Sequence, residues 1–341
     1  LSLGGRAPVT GKILGPDPLP GPETTKDTWE SVGPDHQTVW IGSNQTLFWN
    51  RVSGEYSVFE YRFKGVPVDG DPYKPDATSR GTWDDASRKA TQPKRGVVGG
   101  KLLYLGNQLL LHWVPNGPKT SHFKLWRLQP NNPTDPLLAL LSEGDWGSIG
   151  LLNRLVYIGT DLVLDWKPDG PGDEGRRDSF YNVWKLNRAA TGKLDPLPGF
   201  VANGKWSTIG HDHEVIYLQK DRMLVWERER KVHPEEEDKK ATSRYRVFRV
   251  DRTVKNFSQL LPDPVLADGL WHTIFETPAE AHRLVPIGDA EQRMIDIVAA
   301  PAESARKVRI WPIHNDIPEV TGVAGVTMQR KGNLVLLKVI P

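Results

Sequence analysis

The chain has 341 residues, enough for one large repeat domain with a sizeable buried core. Lys and Arg number 44 against 42 Asp and Glu, so no global basic field draws in nucleic acid and no acidic field repels it. Cysteine is absent, which excludes disulfides, thiolate metal sites and a cysteine nucleophile, and no apolar run of about eighteen residues exists to span a membrane.

Glycine (32), proline (28) and tryptophan (13) are all abundant, and many turns joined to large flat side chains point to an all-β protein. The sequence starts at Leu1 without a signal-peptide pattern, as expected either for a soluble, mature secreted form or for a trimmed chain, which leaves the compartment open. Asn44-Gln-Thr46 and Asn256-Phe-Ser258 match the N-glycosylation acceptor triplet.

In chain order, one phrase recurs. Its first stretch carries a tryptophan at Trp29, Trp83, Trp146, Trp206 and Trp271. A turn follows at Gly42, Gly106, Gly159, Gln219 and Gly288, delayed in the second unit by an insertion around Ser87–Gly96. Two residues before the turn stand Trp40, Tyr104, Tyr157 and Tyr217, with Pro286 as the exception. Seven residues after it stand Trp49, Trp113, Trp166 and Trp226. A last stretch places an aromatic at Phe59, Trp126, Trp184, Phe248 and Trp311.

The stretches are short, rich in Val, Ile, Leu and aromatics, and alternate in polarity, as in Tyr245-Arg-Val-Phe-Arg-Val250. That is strand character, and no segment sustains a 3.6-residue period, so almost no helix is expected. Gly159-Thr-Asp161 reads as a tight hairpin turn, with Asn107 and Asn44 in similar places where positive φ is tolerated.

Four antiparallel strands per unit, repeated near every sixty residues, predict a β-propeller. The C-terminal stretches Val326–Gln329 and Asn333–Val339 read as one more hairpin without a final strand. At the other end, Thr10-Gly-Lys12 and Asp17-Pro-Leu-Pro-Gly21 match Thr191-Gly-Lys193 and Asp195-Pro-Leu-Pro-Gly199, which makes residues 1–7 a final strand without its hairpin. The expectation is therefore a single domain of six four-stranded blades, near 22–63, 76–129, 142–188, 202–252, 268–314, and 320–341 completed by 1–8. The N-terminal strand would pair with the C-terminal hairpin to close the ring.

The order of a short first strand, Tyr-Leu-Gly, a tight turn and a Trp-ended third strand (as at Tyr104-Leu-Gly106 to Trp113) resembles hemopexin-like blades and the blades of several propeller lectins. The resemblance implies a propeller architecture. The Asp-box of sialidases and the Trp-Asp ending of WD-type blades are missing, so neither function carries over.

No Gly-x-Ser-x-Gly elbow, His-Glu-x-x-His or phosphate-binding glycine loop occurs. Asp35-His36 and Asp212-His213 share a register six residues before the turn, and His282 shares it too. Ring nitrogens and carboxylates there suit sugar hydroxyls, or they satisfy strand-end backbone groups. Non-adjacent blades hold the histidines too far apart for one zinc unless they face the axis, so neither metal nor cofactor is expected. Trp29, Trp146 and Trp206 are the aromatic candidates for stacking on sugar rings, against a role in core packing.

Two function classes and a third follow. One is a carbohydrate-binding, lectin-like propeller with sites repeated around the ring and a glycan partner. Another is an enzyme with one acid–base site at a mouth of the axial channel, with His272, His282, Glu276, Arg283 and Arg88 as suspects. The third is a protein-interaction platform.

Overall fold

The computed structural model describes residues 25–29, 35–42, 44–60, 76–83, 95–132, 134–168, 179–206, 209–228, 243–253, 260–261, 265–271, 274, 281–288, 293–299, 306–313, 326–331 and 334–339. These form strands and turns, and among them no helix is long and apolar enough to cross a membrane.

The first strand, β1 (Thr25–Trp29), joins a sheet made much later in the chain. The first blade is β2 (His36–Gly42), β3 (Gln45–Asn50), β4 (Glu55–Glu60) and β5 (Asp76–Thr82), paired in that order. The second is β6 (Lys101–Tyr104), β7 (Leu109–Pro115), β8 (Ser121–Leu128) and β9 (Leu137–Trp146), and the third is β10 (Arg154–Tyr157), β11 (Leu162–Pro168), β12 (Ser179–Lys185) and β13 (Phe200–Trp206). The fourth is β14 (His213–Tyr217), β15 (Arg222–Glu227), β16 (Ser243–Arg249) and β17 (Ala267–Trp271). The fifth consists of β18 (Ala281–Ile287), β19 (Arg293–Ala299) and β20 (Arg306–Pro312), and β1 completes it by pairing with β20 from Thr25↔Ile310 to Trp29↔Arg306. A separate hairpin is formed by β21 (Val326–Lys331) and β22 (Leu334–Val339).

Among the described residues the propeller thus has five four-stranded blades, not six. The inner strands β2, β6, β10, β14 and β18 neighbour one another in turn, and β18 lies beside β2, leaving no gap for another blade. The miscount comes from phase. A repeat has no visible origin, and the Asp-Pro-Leu-Pro-Gly turn at 195–199 lies inside a blade, between β12 and β13, rather than between blades. The repeated tryptophans are accordingly not on first strands: Trp29, Trp146, Trp206 and Trp271 end the outermost strand of their sheets, and Trp83 directly follows one. The expected pairing of residues 1–8 with the C-terminal hairpin falls partly outside the described residues.

Alternation along each strand feeds two faces, and each face packs on a different neighbour. On β11, Val163 joins Leu109, Trp113 and Phe123 of the second blade, while Leu164 and Trp166 join Val215, Met223 and Phe248 of the fourth. Trp49, Tyr56 and Val58 meet Leu102, Leu110 and Trp126 between the first and second blades, and Trp226 and Tyr245 meet Leu284 and Met294 between the fourth and fifth. Phe48 and Phe59 close the circle against Val285, Ile287, Ile295 and Ile297 of the fifth. Trp49, Trp113, Trp166 and Trp226 are all buried, each costing roughly 3–5 kcal/mol to truncate.

A second aromatic layer sits toward the rim. Trp83, Trp146 and Trp206 stack on Tyr56, Phe123 and Tyr181 with ring centroids 4.4, 4.8 and 4.6 Å apart. Each ring lies over a glycine of the paired strand, in the motif Gly-x-Trp at Gly81, Gly144 and Gly204. A Cβ on Gly81 would come 2.6 Å from the Tyr56 hydroxyl, so only glycine fits. Two of these indoles also staple neighbouring blades. Trp83 Nε1 donates to Asp135 Oδ1 at 3.1 Å, and Trp146 Nε1 donates to Asp195 Oδ1 at 2.8 Å.

Candidate functional site

The five inner strands enclose an axial chamber of about 560 Å³. Its walls come in registers, because each inner strand meets its neighbour strand in the same alignment. Gln37, Lys101, Arg154, Glu214 and Arg283 share one register, standing opposite Trp49, Trp113, Trp166, Trp226 and Ile297, and of these five Gln37 and Glu214 line the chamber. Two further registers, Thr38, Leu102, Leu155, Val215, Leu284 and Val39, Leu103, Val156, Ile216, Val285, make an apolar waist. The opposite end carries Trp40, Tyr104, Tyr157, Tyr217 and Pro286, all half-buried.

The charged register is a chain of handovers from one blade to the next. Gln37 Nε2 donates to Leu102 O at 2.7 Å, and its Oε1 accepts from Leu102 N at 2.8 Å. Lys101 Nζ donates to Asn153 O at 3.1 Å, Arg154 Nη1 donates to His213 O at 2.6 Å, and Arg283 Nη1 donates to His36 O. These bonds cap inner-strand ends, whose axis-facing backbone groups have no further strand to pair with. The Arg154 guanidinium also lies 4.8 Å from the Trp166 ring. Burial and the neighbouring Arg154 charge hold the Lys101 ammonium below its ordinary pKa.

The aromatic end is fixed by the hairpin turns. Gly106, Asn107 and Gln108 all have positive φ, as do Gly159, Thr160 and Asp161, and Gln219, Lys220 and Asp221. Leu109 N returns to Gly106 O and Leu162 N to Gly159 O, which is the hairpin read at Gly159–Asp161. Tyr104 lies against Gly42 of the blade before it, Tyr157 against Gly106, and Tyr217 against Gly159.

Two arginines lock this arrangement. Arg188 donates to Asp161 Oδ1 at 2.5 Å, Leu105 O at 3.0 Å and the Tyr157 hydroxyl at 2.8 Å. Arg252 repeats the pattern with Asp221 Oδ1 at 2.5 Å, Ile158 O at 2.5 Å and the Tyr217 hydroxyl at 2.9 Å. Burial pushes the Tyr217 phenol above its ordinary pKa, with the Arg252 charge opposing, so the mouth keeps a neutral hydroxyl.

The sequence-predicted residues are distributed as follows. Asp35 pairs with Arg51 at 3.4 Å on the surface, and Asp212 lies exposed beside His211. His36 is half-buried at the start of β2. His213 is buried and its Nδ1 accepts from Gly210 N at 3.2 Å. His282 is buried with Nδ1 2.9 Å from Asp296 Oδ1. Trp146 and Trp206 are only 4% exposed and belong to the core, so their faces are covered by protein. The Trp29 side chain, His272, Glu276 and Arg88 lie outside the described residues; Arg283 belongs to the charged register. None of the expected residues that are described lines the axial chamber. Among the described residues, no group of three or more His, Asp or Glu could hold a metal ion.

Trp40, Tyr104, Tyr157 and Tyr217 were visible as a repeat, and the charged register directly follows the histidine register. Arg188 and Arg252 carried a signal as well, since Leu186-Asn-Arg188 and Val250-Asp-Arg252 are parallel phrases.

No protein-family model matches the chain, and no curated protein matches it. Among solved structures it is similar to the crystal structure of a GH43_12 retrieved from capybara gut metagenome, at 9% identity and a TM-score of 0.35. The similarity covers 94% of this chain and 57% of that one, so the chain spans little more than half the length of that protein.

Proposed function

We propose that the chain is a single-domain, lectin-like carbohydrate-binding propeller whose ligand enters the aromatic end of the axial chamber. The observation that carries this reading is the convergence of Trp40, Tyr104, Tyr157 and Tyr217, one from each of four blades, on a shared cavity. Aromatic faces pack on the apolar faces of sugar rings, and the phenol groups supply orienting hydrogen bonds. The contributions repeat around the ring, but they meet in one space. Hydrolysis of a glycoside ordinarily needs two carboxyl groups, and Glu214 is the one carboxylate among the described lining residues, which favours binding over catalysis.

Titration calorimetry with a panel of neutral mono- and disaccharides tests the reading. One site per chain is expected, with Trp40→Ala weakening affinity about tenfold. Absence of binding across the panel, or five independent sites unaffected by Trp40→Ala, would refute it.

A further inference from the structure

The axial chamber changes character along its length, and its middle points to a second half of the ligand. This rests on the reading of the aromatic end as a sugar site. Behind that end lies the waist, where every lining side chain is Val, Leu or Ile except the buried Thr38. We propose that the waist receives an apolar aglycone. The ligand is an alkyl glycoside, with its sugar at the aromatic end and its chain threaded along the axis.

Desolvation separates the two halves. A sugar ring carries hydroxyls around its rim, and moving them past Leu103 and Val156 would strip their water with no side-chain partner in return. A methylene chain loses nothing there, and it gains by leaving water for an apolar wall. Leu103 and Val156 are half-buried while the rest of the waist is buried, so these two present the most surface to an incoming chain. Charge agrees with this division. Glu214 is the one charged side chain among the described lining residues, and it stands across the waist from the aromatic end. At that aromatic end, Arg188 and Arg252 hold the Tyr157 and Tyr217 hydroxyls, so the sugar's platform stays in place while a chain fills the space behind it.

Reach sets the useful length of the chain. Three residues of strand separate Gln37 from Trp40 and Glu214 from Tyr217, which is about 10 Å. An extended hexyl chain stays within that depth. A decyl chain runs past it and meets the polar groups of Gln37 and Glu214.

The test is calorimetry on the full chain with methyl, propyl, hexyl and decyl β-glucosides, each below its micelle concentration, and with hexan-1-ol as the bare chain. Hexyl glucoside is expected to bind at least about thirtyfold tighter than methyl glucoside, with propyl between them and decyl adding less than about threefold. Val156→Phe narrows the waist and should bring the hexyl advantage below about threefold, with a thermal melt to verify its fold. Equal affinities for methyl and hexyl glucosides in the native protein overturn the proposal and leave the sugar reading standing, with no variant required. An advantage that the folded Val156→Phe protein keeps in full also overturns it, as does a gain that continues undiminished to decyl, which marks adsorption outside the chamber. Hexan-1-ol binding as tightly as hexyl glucoside removes both the proposal and the sugar reading, and so does binding by none of the series.

Discussion

The second and third blades place polar groups at the same spot in the fold and give them opposite electrostatic character. On the second strand out from the axis, the residue before the tryptophan is His112 in β7 and Asp165 in β11, and both are buried. His112 Nε2 contacts Gly99 O at 2.9 Å. Burial, against the Gly99 hydrogen bond, depresses its pKa to about 4. Asp165 Oδ1 accepts from Asn153 Nδ2 at 2.8 Å, and burial pushes its carboxyl up to about 6 despite that bond. Both groups are driven toward neutrality, one a base and the other an acid. The fifth blade takes a third route at this position. There Asp296 is fully buried between the His282 ring, with Nδ1 at 2.9 Å, and the Arg309 guanidinium, with Nε at 2.9 Å. A propeller interior therefore tolerates polar groups at one radius either by neutralising them or by pairing them.

The largest effect should come from unpairing. Asp296→Ala leaves the His282 and Arg309 groups facing each other in a buried site, and should cost roughly 3–5 kcal/mol in urea melts. A loss under about 1 kcal/mol would show that the fifth blade does not depend on charge pairing.

The neutral blades give a pH signature. Between pH 4 and 6 the folded Asp165 holds a proton that the unfolded chain releases, so its contribution falls as pH rises through that window. Between pH 4 and 6.5 the unfolded His112 holds a proton that the folded state refuses, so its contribution rises with pH. The two slopes oppose each other. Asp165→Asn should therefore uncover a stability that climbs by up to about 3 kcal/mol from pH 4 to 6.5, and His112→Gln the reverse trend. Melts at four pH values check this, and identical profiles for both variants would break the contrast.

Smaller effects test the scaffold around these sites. Gly204→Ala drives a methyl into the Tyr181 ring and should destabilise by roughly 1–3 kcal/mol, whereas Gly147→Ala, with nothing within 4 Å, should be neutral in thermal melts. Arg188→Ala removes a half-exposed clamp and should cost no more than about 1 kcal/mol, detectable as a loosened Tyr157 by side-chain NMR.

Much of the fold was legible in the residues. The strand alternation of Tyr245–Val250, the turn at Gly159–Asp161 and the buried Trp49, Trp113, Trp166 and Trp226 follow from local pattern, because hydrophobic period and turn chemistry are local properties. Blade number was not legible, since the phase of a repeat depends on which strands hydrogen-bond across loops. The motif Gly-x-Trp was present in the chain, but its meaning needs the cross-strand partner, Tyr56, Phe123 or Tyr181. The histidine register at 36, 213 and 282 was visible, yet whether such side chains face a cavity or a neighbouring sheet depends on strand twist and on the next blade. For the same reason the shared register of the adjacent residues Gln37, Lys101, Arg154, Glu214 and Arg283 is not legible in the sequence, although only one step separates it from the histidines.

The pairing of β1 with β20 gives the closed ring two fastenings at different radii. The inner one is the packed seam of Phe48, Phe59, Val285, Ile287, Ile295 and Ile297. The outer one is a ladder of backbone pairs from Thr25↔Ile310 to Trp29↔Arg306. Under mechanical load applied ahead of Thr25, the ladder meets the force first and can open rung by rung, while the seam bears load only when the blades themselves separate. The molecule should therefore yield in two steps under tension, a low-force peeling of one strand and then a higher-force rupture of the ring.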